Sequence, residues 1–138
     1  MPGNPFVDTN VLVYAVAVSG PDAAKSVRAR ALLAGGRVSL SAQVLGEFYR
    51  AVTSSRRTSP LKHTEAVAWV QLWKRHDVHA VTTAHVDLAL DLCDRYQLNY
   101  YDALIVAAAR LAKSPVLYSE DLSHGQDYGG VRVENPFR

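Results

Sequence analysis

Residues 6–15 read FVDTNVLVYA, and the fold that we predict starts from this stretch. Phe6 and Val7 form a short apolar run that predicts a strand. The polar residues 8–10 predict a turn, and the apolar run after them predicts a helix. A strand that leads directly into a helix is the unit from which α/β folds are built. The stretch therefore indicates an α/β fold with its first strand near residue 6.

The rest of the chain continues this alternation of short strands and helices. The predicted helices cover residues 11–18, about 21–33, 42–54, 63–76, 84–96 and 101–112, and the further strands cover 38–40, 78–81, 116–118 and 131–133. Helix 101–112 is apolar on nearly every side, which predicts a central, buried position. We therefore expect one α/β domain over residues 1–138, with a small, mostly parallel sheet flanked by helices.

Composition limits the classes of protein to consider. The chain has 138 residues, of which 49% are hydrophobic, so a core can form without disulfides. Its single cysteine, Cys93, excludes an internal disulfide and fits a reducing cytoplasm. Cys93 is in helical phase with Val86, Ala89 and Leu90, which predicts packing in the core rather than chemistry.

Charge and hydropathy give further limits. The longest apolar run, residues 11–18, is too short for a membrane span, which needs about 20 residues, and it lacks the features of a secretion signal. We therefore expect a cytoplasmic protein that does not act at a membrane. The formal net charge of +2 permits binding to a polyanion without requiring it.

Four carboxylates occupy positions from which an α/β fold can bring side chains together. Asp8 and Asp121 each follow a predicted strand, at the edge where ligands bind in open parallel sheets. Asp102 lies in the first turn of the most apolar helix, and Glu47 borders the apolar face of helix 42–54. Solvated charges seldom occur in this combination of places, so the four acids are candidates for a shared site.

Each acid also has a purely structural interpretation. Asp8 can cap the helix that follows it, and Asp102 falls three residues after a possible N-cap, Asn99. Glu47 can be a solvated helix residue and Asp121 a turn residue. The case for a site therefore depends on all four acids converging.

Convergence of four carboxylates would favour a bound cation. Two carboxylates about 4 Å apart repel each other by about 4 kcal/mol at an effective dielectric constant near 20, so the cluster must take up protons or bind a metal. The sequence contains no CxxC or HExxH motif, which disfavours zinc, whereas an all-oxygen site suits Mg²⁺ or Mn²⁺. Such a cation can activate water for hydrolysis of a phosphodiester, which indicates a nucleic-acid substrate.

The segments FVDTNVLVYA, GEFYR, LNYYDALIVAAA and LYSEDLSHG together resemble the PIN domain, and within it the toxins of VapBC-type toxin–antitoxin pairs. The resemblance extends from Phe6 to about Phe137 in the order and spacing of that family. It implies a three-layer α/β/α fold and a Mg²⁺- or Mn²⁺-dependent endoribonuclease that inhibits translation or growth. One or two metal ions are both compatible with four carboxylates.

The resemblance also implies residue roles. The family's acidic, metal-binding and catalytic quartet corresponds to Asp8, Glu47, Asp102 and Asp121. Asn10 and Ser119 match positions where the family often has a small polar residue that orients an acid. Glu120 competes with Asp121 for the fourth role; neighbouring residues of a strand face opposite sides, and a serine two residues before the acid favours Asp121.

Partners follow from the same resemblance. It implies a homodimer, neutralised by an antitoxin whose C-terminal segment enters the groove, and an RNA substrate. Arg50, Arg56 and Arg57 are candidate phosphate contacts, with ordinary surface charge as the alternative. Tyr101 and its neighbour Tyr100 are candidates for stacking on bases, although at least one of them is expected to pack in the core.

Other functions of strand-end acids fit the sequence less well. A phosphatase with a nucleophilic Asp usually has DxD, but the second position here is Asn10. A receiver domain would need an early acidic pair and a lysine after its last strand, and neither pattern is evident. A catalytically silent module that keeps the fold and only binds RNA or a partner stays open as the alternative.

Overall fold

A five-stranded sheet organises the computed structural model, which describes residues 2–138. Met1 of the predicted domain lies outside the described residues. The strands are β1 (Phe6–Val7), β2 (Ser39–Ser41), β3 (Asp77–His79), β4 (Val116–Tyr118) and β5 (Arg132–Glu134). They lie in the order β3-β2-β1-β4-β5, and every neighbouring pair is parallel. This arrangement confirms the predicted α/β fold.

Six helices within the described residues connect and cover the strands. They are α1 (Thr9–Ala15), α2 (Ala23–Ala34), α3 (Ala42–Thr53), α4 (His63–Trp73), α5 (Thr83–Tyr96) and α6 (Tyr100–Leu111). Parallel neighbours need crossover connections, and such connections are right-handed. Helices α1 to α4 therefore cover one face of the sheet, and α5 and α6, which pack on each other, cover the other.

The path of the chain creates a crevice beside β1. From β1 the chain moves outward through β2 to β3, and the α5–α6 connection then returns it to the opposite side of β1, where β4 pairs with it. Connections leave β1 and β4 in opposite directions, so the point between their carboxyl ends is the topological switch point of the sheet. Open α/β sheets bind ligands at such points.

Helix α6 is the central helix, as predicted. All seven residues from Ala103 to Ala109 are buried, and the helix contacts α5, β2 and β4. Four of these seven residues are alanines, whose small side chains allow the helix to lie close to its neighbours. The most apolar segment of the sequence therefore forms the middle of the core.

Several element boundaries differ from the predicted ones. Helix α1 ends at Ala15, three residues early, because the Ala15 carbonyl oxygen accepts hydrogen bonds from Arg30 Nε at 2.7 Å and Ser26 Oγ at 3.4 Å. Helix α4 also ends three residues early, at Trp73. Strands β2 and β5 begin one residue later than predicted and β3 begins one residue earlier.

The predicted buried faces of two helices also need correction. The apolar positions that the sequence predicts for helix 63–76 include Val67, Val70 and either Trp73 or Leu72. In α4, Ala66 and Trp73 face the core, whereas Val67 is 36% exposed. In α5 the buried positions include His85, Ala89 and Leu92. Leu90, predicted to share the buried face, is 56% exposed, and Cys93 is only partly buried against the core.

The apolar run at residues 116–118 predicts a fully buried strand. In β4, however, only the middle residue, Leu117, is fully buried. Within residues 2–138, no helix has the length and apolar character needed to cross a membrane.

We expect shortening of a side chain in α6 to destabilise the protein only where that side chain is buried. Ile105 is 2% exposed, so Ile105→Ala should lower the free energy of unfolding by about 2–5 kcal/mol, because it removes buried contacts and leaves a cavity. Leu111, at the end of the same helix, is 45% exposed, and Leu111→Ala serves as the control with an expected loss below about 1 kcal/mol. Urea denaturation of both variants measures this, and equal losses would contradict the buried position of α6.

Candidate acidic site at the switch point of the sheet

Asp8 is the most buried of the four candidate acids. It follows β1 directly and caps α1, because its Oδ1 accepts a hydrogen bond from the Thr9 backbone N–H at 2.7 Å. Its Oδ2 accepts a hydrogen bond from Ser119 Oγ at 2.7 Å, and the side chain is enclosed so that the residue is only 5% exposed. No lysine or arginine in the described part of the chain forms an ion pair with it. Asp8 therefore acts as a helix cap and also places a carboxylate in the crevice.

The surroundings of Asp8 raise the pKa of its carboxyl group above the ordinary value for an aspartate. Burial raises the pKa of Asp8 from 3.8 to about 6, against the lowering effect of the hydrogen bonds from Ser119 and Thr9. The nearby carboxylates of Asp121 and Glu47 make smaller contributions to this increase. The negative charge of Asp8 is therefore poorly compensated at neutral pH.

Ser119 and Asn10 connect Asp8 to Asp121. Ser119 Oγ, which donates to Asp8, accepts a hydrogen bond from the Asp121 backbone N–H at 3.1 Å. Asn10 Nδ2 lies 3.2 Å from Asp121 Oδ2 and 3.5 Å from Asp8 Oδ2. The two small polar residues thus contact the two strand-end acids and fix their relative orientation.

Glu120 points away from this cluster. Its carboxylate accepts hydrogen bonds from Lys25 Nζ and from Tyr14 Oη, the latter at 2.6 Å. Burial raises the pKa of Glu120, but the hydrogen bonds from Lys25 and Tyr14 outweigh it and lower this pKa overall. The alternation of side chains after β4 therefore brings Asp121, rather than Glu120, to the crevice.

Glu47 reaches the same crevice from α3. Its Oε1 accepts a hydrogen bond from Thr9 Oγ1 at 2.7 Å, and its Oε2 accepts one from Gln43 Nε2 at 3.0 Å. Gln43 Nε2 also donates to the backbone oxygen of Tyr101, at 3.2 Å, which links α3 to the start of α6. Glu47 is half-buried, so it is neither a core residue nor a fully solvated one.

Asp102 completes the cluster from the first turn of α6. Asn99 caps this helix by accepting a hydrogen bond from the Asp102 backbone N–H at 3.0 Å, and its Nδ2 donates to Asp102 Oδ2 at 2.7 Å. Burial raises the pKa of Asp102, with a further increase from Asp121 and Glu47 and a decrease from the bond to Asn99. The carboxylates of Asp121 and Glu47 therefore lie near enough to raise the pKa of both Asp8 and Asp102.

The carboxylates are close to one another but do not form a ready-made metal cage. Across residues 2–138, no three His, Cys, Asp or Glu side chains are arranged so that they could hold a metal ion together. Each of the four acids accepts a hydrogen bond from a hydroxyl or amide group of the protein. The atoms that the acids offer to a metal are all carboxylate oxygens. This chemistry fits a hard cation such as Mg²⁺ or Mn²⁺, provided that the carboxylates exchange some of these partners for the metal.

Two residues of the site were missed by the sequence analysis. Thr9 holds Glu47 across 38 positions of sequence, and Gln43 holds it from one turn earlier in α3. Thr9 belongs to the DTN turn already singled out, and Gln43 has the i, i+4 spacing to Glu47 that allows side chains on a helix to meet. Only the second contact had a signal in the sequence.

The remaining candidates lie outside the acidic cluster. Arg50 and Arg56 are exposed, and Arg57 is half-buried; none of the three forms an ion pair with an acid in the described structure. Tyr101 is 65% exposed beside Asp102, whereas Tyr100 packs partly against the core, as expected for one of the pair. The arginines are therefore not part of the acidic site itself.

Two comparisons relate the chain to known sequences. A family model described as PIN domain matches residues 6–125. Comparison with curated proteins finds no match.

Solved structures share this fold over almost the whole chain. A toxin–antitoxin complex from Klebsiella pneumoniae is 16% identical, with a TM-score of 0.71 and coverage of 96% of this chain and 97% of that chain. VapC20 from Mycobacterium tuberculosis, described as a toxin that cleaves the sarcin–ricin loop, is 25% identical, with a TM-score of 0.67 and coverage of 84% and 88%. VapBC2 from Rickettsia felis, bound to a DNA fragment from its promoter, is 16% identical, with a TM-score of 0.64 and coverage of 94% and 96%.

We expect the metal-free protein to lose stability as Asp8 ionises. The pKa of Asp8 is about 6 in the folded state, above its ordinary value of 3.8, so the folded state holds a proton that the unfolded state releases between these two values. Stability is therefore lost as pH rises through this window, by about 3 kcal/mol in total.

Asp8→Asn keeps a cap for α1 and removes this charge. The free energy of unfolding of Asp8→Asn minus that of the wild type should therefore rise by about 2.4 kcal/mol between pH 4 and pH 7 in the presence of a chelator. Denaturation at a series of pH values measures the difference. A difference in the free energy of unfolding that does not change with pH would mean that ionisation of Asp8 does not destabilise the folded protein.

Proposed function

Because this chain belongs to the PIN-domain family, we propose that it is a Mg²⁺- or Mn²⁺-dependent endoribonuclease and the toxin of a toxin–antitoxin pair. The observation that carries the proposal is the buried Asp8 carboxylate at the switch point of the sheet, with the charges of Asp121 and Glu47 raising its pKa. An uncompensated group of carboxylates in a crevice favours a cation, and a cation beside a crevice suits the chemistry of a phosphodiester.

The roles of the acids follow from their positions. Asp8 and Asp102 are the proposed principal ligands, and Glu47 and Asp121 complete the site directly or through water. Ser119 and Asn10 orient the two strand-end acids by the hydrogen bonds described above. When bound, a divalent cation would activate a water molecule and neutralise charge on the phosphodiester under attack.

Metal binding would require small movements of side chains that already have other partners. Glu47 would exchange its bond to Thr9 or Gln43, and Asp102 would free one oxygen from Asn99. Helices α3 and α6 already carry both carboxylates at the crevice. Metal binding would favour the ionised forms of Asp8 and Asp102, whose pKa values are raised in the metal-free protein, so it should be coupled to proton release as pH falls.

The structural neighbours support the toxin assignment. They include toxin–antitoxin complexes and a toxin described as cleaving the sarcin–ricin loop. We propose that this chain forms a homodimer, acts in the cytoplasm, and is neutralised by an antitoxin whose C-terminal segment enters the groove beside the acids. Arg50, Arg56 and Arg57 are the proposed contacts to RNA phosphates, and exposed Tyr101 is placed to stack on a base beside Asp102.

Cleavage of RNA by the purified protein tests the proposal directly. With Mg²⁺ or Mn²⁺, the wild type should cut total cellular RNA into discrete fragments whose ends identify the target. Asp102→Asn should lower the rate at least about a hundredfold, because it weakens charge stabilisation at the reacting phosphate. The matched control is Asp87→Asn, an exposed acid on α5, which should cut at the wild-type rate.

The catalytically silent alternative makes the opposite prediction. A folded, antitoxin-free protein that binds RNA but leaves it intact with either metal would favour a binding module. In that case Asp8→Asn should keep or increase RNA affinity, because it removes repulsion of the phosphates.

We expect the ionised Asp8 carboxylate, which destabilises the metal-free protein, to stabilise the protein when a metal ion is bound. Mn²⁺ should raise the thermal midpoint of the wild type, because a ligand that binds only the folded state stabilises it, and Asp8→Asn should lose most of this increase. The apparent Mn²⁺ affinity should fall as pH drops below about 6, where Asp8 holds its proton. Differential scanning fluorimetry over a pH series measures both effects, and an equal increase in Asp8→Asn would remove Asp8 from the ligand set.

A further inference from the structure

A polar cavity lies at the edge of the sheet opposite the acids. It has a volume of about 390 Å³, and its lining includes Arg110 and Lys113 at the end of α6 and Gly129 and Gly130 before β5. Pro115, which also lines it, directly precedes β4, so the cavity lies where the parallel strands begin. The acids lie where the strands end. The cavity therefore has no part in the proposed nuclease site.

Arg110 brings an unpaired positive charge to this cavity. The residue is half-buried, yet its guanidinium forms no ion pair and no hydrogen bond with residues 2–138. Its side-chain nitrogens remain open to solvent, so a ligand in the cavity can reach them. No carboxylate from the described part of the chain lines the cavity. An accessible guanidinium in a cavity without a carboxylate favours an anionic ligand.

Gly129 allows the guanidinium of Arg110 to lie flat on the backbone. A Cβ atom at position 129 would lie 3.0 Å from Arg110 Nη1 and 3.1 Å from its Cζ, so only a residue without a side chain permits this contact without a shift. Gly129 also has a φ of +78°, which glycine adopts readily. A guanidinium packed in this way loses less conformational freedom when it binds a ligand.

Lys113 adds a second positive charge from an unfavourable backbone position. It has a φ of +59°, and the Ser114 backbone N–H donates to the Ala109 oxygen at 3.0 Å, an arrangement in which the left-handed position is usually a glycine. Helix α6 does not need the lysine as a donor, because backbone N–H groups already donate to the oxygens of Ala108, Ala109 and Arg110. Backbone strain of this kind clusters at ligand sites.

We infer that Arg110 and Lys113 bind phosphate, either free or as a phosphate monoester. Their two positive charges match the charge of about −1.5 to −2 that such a group carries at pH 7, whereas a carboxylate or a phosphodiester carries a single negative charge. The guanidinium can bind two phosphate oxygens through parallel hydrogen bonds, and the ammonium group of Lys113 can bind a third. The volume of the cavity also leaves room for the organic part of a small ligand. The inference goes beyond the proposed nuclease function and does not rest on it.

Titration with inorganic phosphate at constant ionic strength tests the site. The protein is first freed of divalent cations on a chelating resin, so that phosphate cannot bind through a metal at the acids. In nitrogen–proton correlation spectra, the backbone amide resonances of Gly129 and Gly130 should shift in a saturable manner, and that of Asp121 should not. Shifts that do not saturate, or that are as large at Asp121, would overturn the inference.

Substitutions assign the binding to the two side chains. Arg110→Gln and Lys113→Gln should each weaken the phosphate affinity at least about tenfold, because each removes charge-assisted hydrogen bonds. The matched control is Lys74→Gln, since Lys74 is an exposed lysine that directly follows α4, and this variant should keep the wild-type affinity. Equal phosphate affinities of Lys113→Gln and Lys74→Gln would contradict the assignment. Because Lys113 is exposed, this comparison holds even if Arg110→Gln does not fold.

Replacement of Lys113 by glycine separates ligand binding from a structural role. Glycine adopts the left-handed conformation without strain, so Lys113→Gly should not lower the thermal midpoint of the free protein, although it should weaken phosphate binding as Lys113→Gln does. A lower thermal midpoint together with an unchanged phosphate affinity would show that the lysine acts in folding alone, and the inference would be wrong.

Adenosine monophosphate and adenosine distinguish the two sources of the phosphate group. Tighter binding of adenosine monophosphate than of phosphate, with no binding of adenosine, would support a phosphate monoester as the ligand, and equal affinities would support free phosphate. Binding of adenosine alone, or of a dinucleotide phosphodiester as tightly as phosphate, would overturn the inference. These titrations involve neither RNA cleavage nor a metal, so their failure would leave the proposed nuclease function standing.

Discussion

The buried carboxylate of Asp8 is the constraint around which the rest of the site is arranged. It lies at the end of the central strand, where β2 and β4 flank β1 on both sides and α1 starts immediately afterwards. Two hydrogen bonds, from Thr9 and Ser119, offset part of the cost of burial, and no cation of the described chain offsets the rest. The remaining imbalance gives the crevice its preference for positive charge. In a globular interior such an imbalance is tolerated mainly where a ligand removes it.

The structural and functional interpretations of the acids prove to be compatible. Asp8 caps α1, and Asn99 caps α6 while it holds Asp102. Both helices therefore begin at the crevice, and their positively polarised N-termini lessen the repulsion among the acids. The same contacts that start a helix also set the direction of a carboxylate. For this reason a helix cap at a strand end argues neither for nor against a functional role until its neighbours are known.

The order of elements and the burial of α6 could be predicted because each left a pattern in a continuous stretch of sequence. The exact ends could not, since strands of two or three residues carry no periodicity, and α1 is ended by Arg30 and Ser26 of another helix. The same limit applies to the site. The strand-end positions of Asp8 and Asp121 were visible in the sequence, whereas the contact between Thr9 and Glu47 depends on how α1 packs on α3.

Glu120 and Asp121 show how the protein limits the charge of the crevice. The two carboxylates are adjacent in sequence, and a fifth acid facing Asp8 would add repulsion to a group whose pKa is already raised. Lys25 and Tyr14 instead bind Glu120 on the other side of the chain. That ion pair removes one negative charge and also fixes the segment after β4, so that Asp121 is directed to Asn10. The acidic cluster is therefore bounded by a specific contact outside it, made by a lysine that does not touch the site.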